Sequence, residues 1–243
     1  PDERIVYFGD TARVPYGGKS RENIIRYSRQ IIHFLMEQQV KAIVIACNTA
    51  SAFALEAVRD EFDVPILGVI EPGARVAAAE TKNKRVGVIG TVGTVDSGIH
   101  ASYLKKLDPE ITVIGKACPL FVPLVEEGWL HDPVTAEVTA RYLQEFKDKD
   151  VDTLILGCTH YPLLTDVIGD VMGPGVELVS AGEESAFELK RMLKARELRA
   201  DERRRGETEF YVSDRVEDFE RTASLFLQED LRHTARRIDI ERY

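Results

Sequence analysis

Short apolar runs alternate with amphipathic stretches along almost the whole chain. Ile5-Val6-Tyr7-Phe8 predicts a strand that ends at Gly9-Asp10. A loop over residues 11–19 follows and carries Pro15-Tyr16-Gly17-Gly18. Ser20 stands where a helix N-cap is wanted, and Ile24, Tyr27, Ile31, Ile32 and Leu35 recur at helical spacing. Residues 41–46 are a β-branched apolar run with the look of a strand buried on both faces. Helix returns over 49–60, and further strands are predicted over 65–70, 85–90, 111–117, 153–157 and 176–179. A last strand covers 208–213. A last amphipathic helix covers 218–231, with Phe219, Ala223, Phe226 and Leu227 on one side. Strand and helix in this alternation predict an α/β architecture with mostly parallel sheets.

The pattern also repeats itself. Val40 to Cys47 can be laid on Val151 to Cys158, with a cysteine seven residues after the first valine in both. Each is an apolar strand that ends in a small residue and a cysteine. Polar residues follow at once, Asn48-Thr49 in one and Thr159-His160 in the other. Two related halves are implied, each presenting a thiol at the carboxyl end of a strand, where open α/β sheets bind ligands. A thiol between a strand end and a helix N-terminus sees free backbone N–H groups and the positive end of the helix dipole. Both are expected to lower its pKa, and the same N–H groups suit a carboxylate. Two thiols on opposite faces of one carbon suit the inversion of a stereocentre, in which one takes a proton and the other delivers one. Cys118, in Ala117-Cys118-Pro119-Leu120, has no polar successor and no counterpart in the repeat, and reads as packing.

Composition narrows the alternatives. The chain has 243 residues, 44% hydrophobic and 30% charged, enough for one large or two small domains. Its net charge of −9 argues against a nucleic-acid partner, because phosphate contacts need Lys and Arg. The charge-dense stretch 195–207 interleaves acids with bases and reads as a solvated helix end and loop. No apolar run approaches the roughly 18 residues needed to cross a bilayer, and Pro1-Asp2-Glu3-Arg4 lacks the shape of a signal peptide. A cytoplasmic protein without a membrane partner is expected. Three cysteines make no disulfide framework, and neither CxxC nor HExxH occurs, so no metal site is expected. The segment GTVGTVDS (90–97) lacks the lysine and glycine spacing of a phosphate-cradling loop.

The segments ACNTAS (46–51) and GCTHYPLL (157–164) resemble the two signatures of glutamate racemases, within the aspartate/glutamate racemase superfamily. GDTARVPYG (9–17), GTVGTVDS and PLFVPLVEEG (119–128) add to the resemblance, in the family's order. The resemblance implies two pseudo-symmetric α/β lobes with the active site in the cleft between them. The first lobe would comprise 1–70 plus 180–243 and the second 71–179. It implies Cys47 and Cys158 as acid/base residues, with His160 beside Cys158, acting on glutamate without a cofactor. Tyr16, Gly17, Asn48, Thr49, Thr91, Thr94, Thr159 and His160 are implied as substrate contacts. Glu127 matches an acid that the family places near His160. Asn48 and Thr49 are also ordinary helix caps, and Pro15-Tyr16-Gly17 an ordinary turn. The family's usual opening strand and DSG-type loop have no match here. Asp10 belongs to the next element, and Asp96-Ser97-Gly98 to another segment. Without that opening strand an apolar face of the first lobe is expected to be uncovered. The resemblance further implies D-glutamate supply for peptidoglycan synthesis and allows a homodimer. Competing readings are action on aspartate, an inactive ligand-binding relative, and a thiol redox protein.

Overall fold

Residues 2–201 and 205–243 are described in the computed structural model. The first part of the chain forms β1 (Ile5–Gly9), α1 (Arg21–Glu37), β2 (Ile43–Ile45), α2 (Asn48–Val58) and β3 (Ile66–Gly68). Next come α3 (Ile70–Glu80), β4 (Arg85–Gly90), α4 (Val92–Asp96), α5 (Ile99–Leu107), β5 (Thr112–Ala117), α6 (Phe121–Glu126) and α7 (Pro133–Asp148). Then follow β6 (Thr153–Gly157), α8 (Thr165–Met172), β7 (Glu177–Val179) and α9 (Ala181–Ala195). The chain closes with β8 (Thr208–Val212), α10 (Val216–Leu227) and β9 (Ala235–Arg237).

Every pair of strands runs parallel. The order β5-β4-β6-β7 makes one sheet, β1-β8-β9 a second and β2-β3 a third. The four-stranded sheet is covered on both faces. Phe121, Leu143, Phe146 and Ile168 from α6, α7 and α8 pack with Ile89, Leu154 and Leu156. Ala74, Ala77 and Leu104 from α3 and α5 pack with Val86, Val88 and Ile155. A central β6 with all five residues buried follows from that sandwich. Each large apolar side chain so buried contributes about 1.5–3 kcal/mol of transfer free energy. Beside it, Ile32, Phe34 and Leu35 of α1 pack on Ile43, Ile66 and Tyr211 from the other two sheets.

Two helices carry the chain between these groups of strands. α3 follows β3 and leads to β4, and α9 follows β7 and leads towards β8. They pack against each other so closely that a Cβ at Gly73 would lie 3.1 Å from that of Ala181. Arg75 ties them, reaching Glu188 on α9 as well as Glu71 on α3.

Three local expectations are corrected. Among the described residues β2 pairs with β3 alone, and Val44 is 37% exposed while Ile43 is buried, so the strand is covered on one face and not on both. The last helix spans Val216–Leu227 rather than 218–231, ending where Gln228 takes a left-handed φ of 53°. β9 gave no apolar signal, because Ala235-Arg236-Arg237 joins β8 through its backbone with its side chains largely outward. Residues 202–204, in the middle of the charge-dense stretch, lie outside the described residues. Among the described residues no helix is long and apolar enough to cross a membrane.

Candidate active site

Cys47 is the N-cap of α2, two residues beyond Ile45, the last paired residue of β2. Cys158 follows β6 directly and leads into a short 3-10 turn, Tyr161–Leu164, ahead of α8. The repeat therefore appears as two strand–cysteine–helix units on different sheets. Both thiols are half-buried. Burial raises the Cys47 pKa, and the backbone N–H groups of Ala50 and Thr49 and the Thr49 hydroxyl pull against it. Burial pushes Cys158 up to about 12, opposed by the N–H of His160 and reinforced by the nearby charge of Cys47. The expected lowering is thus reversed: desolvation outweighs the helix-end N–H groups.

His160 connects Cys158 to an acid. Its Nδ1 lies 3.7 Å from the Cys158 Sγ, and its Nε2 lies 3.3 Å from Oε1 of Glu126. Burial lowers the His160 pKa and Glu126 works against this. The ring is therefore neutral near pH 7, able to exchange a proton with the thiol. The acid in contact is Glu126 and not Glu127. Glu126 is the last residue of α6 and Glu127 is already its C-cap, so one residue turns the side chain away by about 100°. Thr159 Oγ1 is 3.5 Å from the same imidazole nitrogen.

The hydroxyls form a second cluster. Thr49 Oγ1 lies 2.9 Å from Thr91 Oγ1 and 3.1 Å from Thr94 Oγ1, and those two are 3.0 Å apart. Thr49 comes from α2, and Thr91 and Thr94 from the N-terminal end of α4, so the cluster bridges the two groups of strands. Gly17 rests on it: a Cβ there would stand 2.4 Å from that of Thr91, which only glycine avoids. Asn48 is buried beside Thr49 at the start of α2.

Tyr16 is buried, and its hydroxyl donates to Asp10. That hydroxyl is thus committed to the protein, and the ring packs with Ile24, Ala50 and Ala54. Asp10 also accepts from Ser213 Oγ at 2.9 Å and from Arg13 Nε at 2.8 Å. Arg13 in turn lies 4.1 Å over the Tyr27 ring. Asp10, Arg13 and Ser213 thereby anchor the loop that presents Tyr16 and Gly17. Sequence reasoning did not assign them this work; the Asp next to Gly9 in a turn was the available signal. Cys118 is fully buried with its thiol aimed at the Lys116 carbonyl, 3.7 Å away, as packing requires. Among the described residues no cluster of His, Cys, Asp and Glu could hold a metal ion.

Comparison with known proteins places the chain in a family. The Asp/Glu/Hydantoin racemase family profile matches residues 1–186. A glutamate racemase of Geobacter metallireducens is 51% identical over 228 residues, 93% of this chain and 84% of that protein. The structure of a glutamate racemase isoform from Bacillus anthracis superposes with a TM-score of 0.94 at 37% identity, covering 98% of this chain and 89% of that one. That of the Francisella tularensis glutamate racemase, solved with D-glutamate, gives a TM-score of 0.92 at 36% identity, covering 100% and 90%. The chain belongs to the Asp/Glu/Hydantoin racemase family, and within it to the glutamate racemases.

Proposed function

We propose that this protein interconverts L- and D-glutamate by proton transfer between two thiols, Cys47 and Cys158. The observation that carries this reading is their matched placement at the ends of two strands in different sheets, near enough for the charge of Cys47 to act on Cys158. One sulfur, as thiolate, takes the α-proton. The electron pair left on Cα is delocalised into the α-carboxyl group. The other thiol gives its proton to the opposite face, so the enzyme ends with the two protonation states exchanged. The reverse reaction starts from that state, and near-equivalent residues serve both directions. The N–H groups of Thr49 and Ala50 and the Thr49 hydroxyl stabilise the Cys47 thiolate. His160, held by Glu126, exchanges the proton of Cys158. Thr49, Thr91 and Thr94, now bonded to one another, offer hydroxyls to a carboxylate, with Asn48, Thr159 and the backbone of Tyr16 and Gly17 completing the pocket. This chemistry calls for no cofactor.

The assignment extends to the lobes: residues 1–70 with 180–243, and 71–179, crossing on α3 and α9. D-glutamate as product fits a supply role in peptidoglycan synthesis, in the cytoplasm, with a homodimer as the assembly. The Francisella structure, which contains D-glutamate, supports the substrate class. A panel of L- and D-glutamate and L- and D-aspartate, followed by circular dichroism without added cofactor, tests the choice. Loss of optical rotation from both glutamates and not from the aspartates is expected. Faster turnover of aspartate would overturn the substrate assignment.

A further inference from the structure

The strands that lead to Cys47 end in an unusual way. β2 and β3 pair in parallel register up to Ile45 and Gly68, and the Ile43 N–H bonds the Pro65 carbonyl. The alternation of a parallel ladder then calls for a bond from the Val69 N–H to the Ile45 carbonyl. A side chain stands between them. The Val69 N–H donates to Ser51 Oγ at 3.3 Å, and the Ser51 hydroxyl donates onward to the Ile45 carbonyl at 2.8 Å. Ser51 is buried, and its own N–H bonds the Cys47 carbonyl at 2.8 Å. The neighbouring Gly68 leaves just enough room: a Cβ there would lie 3.1 Å from Ser51 Oγ and 2.8 Å from Leu55. One residue of α2 therefore grips the strand two residues before Cys47, the cysteine itself, and Val69, the N-cap of the crossing helix α3.

We propose that Ser51 is a positioning residue for Cys47: its hydroxyl, inserted as one rung of the β2–β3 ladder, fixes the thiol relative to the second lobe. The inference rests on the two-thiol reading above. A hydroxyl both donates and accepts, which is what an inserted rung needs. Without it the Ile45 carbonyl and Val69 N–H close on each other or lose their partner. Cys47, two residues on, then moves with Ile45, while α2 and its N–H groups stay. The second half has no such device, because the residue four after Cys158 is Pro162. The effect of removing the rung is therefore confined to one thiol.

The test measures α-proton exchange in D2O, for each glutamate enantiomer and across pH, with the parent, Ser51→Ala and Ser51→Thr. Ser51→Ala is expected to keep its circular dichroism spectrum and to lose about tenfold in kcat, since sub-ångström misplacement acts on the chemical step. KM should stay within about twofold. The acidic limb of kcat, which reports the groups of the enzyme–substrate complex, should move to higher pH for one enantiomer only, the one from which Cys47 takes the proton. Ser51→Thr, which keeps the hydroxyl, should recover most of the rate. If alanine abolishes folding, Ser51→Thr against Ser51→Val makes the same comparison at equal shape. An unimpaired Ser51→Ala, or equal movement of both limbs, beside an active parent overturns this inference alone. A parent without exchange overturns the two-thiol reading and this inference with it.

Discussion

Cys47 and Cys158 show how much a single side chain owes to its surroundings. In sequence each is a thiol ahead of polar residues; in the fold each meets helix-end N–H groups but is drawn out of water as well. The direction of the pKa shift is decided by desolvation, which no local motif displays. Glu126 makes the same point: the motif located the acid within one residue, and helix phase chose between neighbours. Gly17 is the clearest steric requirement of the site. Gly17→Ala places a methyl 2.4 Å from the Thr91 Cβ, so the loop or the hydroxyl cluster must move. Overpacking of this kind costs about 1–3 kcal/mol. We expect at least a tenfold fall in kcat/KM for glutamate with intact secondary structure. Activity within twofold of the parent would show that the loop does not sit on Thr91 during catalysis.

Among the elements, those with strong period were legible and those decided by pairing were not. α1, with Ser20 as its cap accepting from the Asn23 N–H, and the buried β4 and β6 all lie where the apolar pattern puts them. β3 shrank to three residues, and β9 was missed, because backbone pairing partners leave no mark in the local sequence. α5 adds a testable consequence. His100, on its first turn, is buried behind the strand ends, with its ring 3.6 Å from the position of a Cβ on Gly157, and its Nδ1 has no partner. Burial lowers its pKa from 6.5 to about 4. The fold thus keeps His100 neutral, whereas the unfolded chain binds a proton below pH 6.5. Stability from this group is fully present above pH 6.5 and is lost as pH falls to about 4, by roughly 3 kcal/mol. Urea unfolding of the parent and His100→Leu at pH 7, 5.5 and 4.5 checks it. The difference between the two proteins should change in favour of the variant as pH falls. A pH-independent difference would contradict a neutral buried imidazole.

In the molecule as a whole, the repeated strand–cysteine unit was readable because it recurs at fixed register, and its two copies stand at the ends of strands in different sheets. What the repeat could not supply is how the halves meet. The bridging Thr49, Thr91 and Thr94 hydroxyls and the close α3–α9 crossing at Gly73 and Ala181 are products of tertiary packing. So is the Asp10–Arg13–Ser213 anchor, in which Ser213 lies 203 residues along the chain from Asp10. The resemblance carried the substrate, since pseudo-symmetric thiols by themselves specify inversion and not the molecule inverted. The two-thiol mechanism requires both sulfurs to act on one carbon. Proton NMR of L- and D-glutamate in D2O, with the parent, Cys47→Ser and Cys158→Ser and no added cofactor, measures this directly. Loss of the α-proton signal and racemisation by the parent, with racemisation abolished in both variants, is the expected result; full racemisation by either single variant would contradict a two-thiol mechanism.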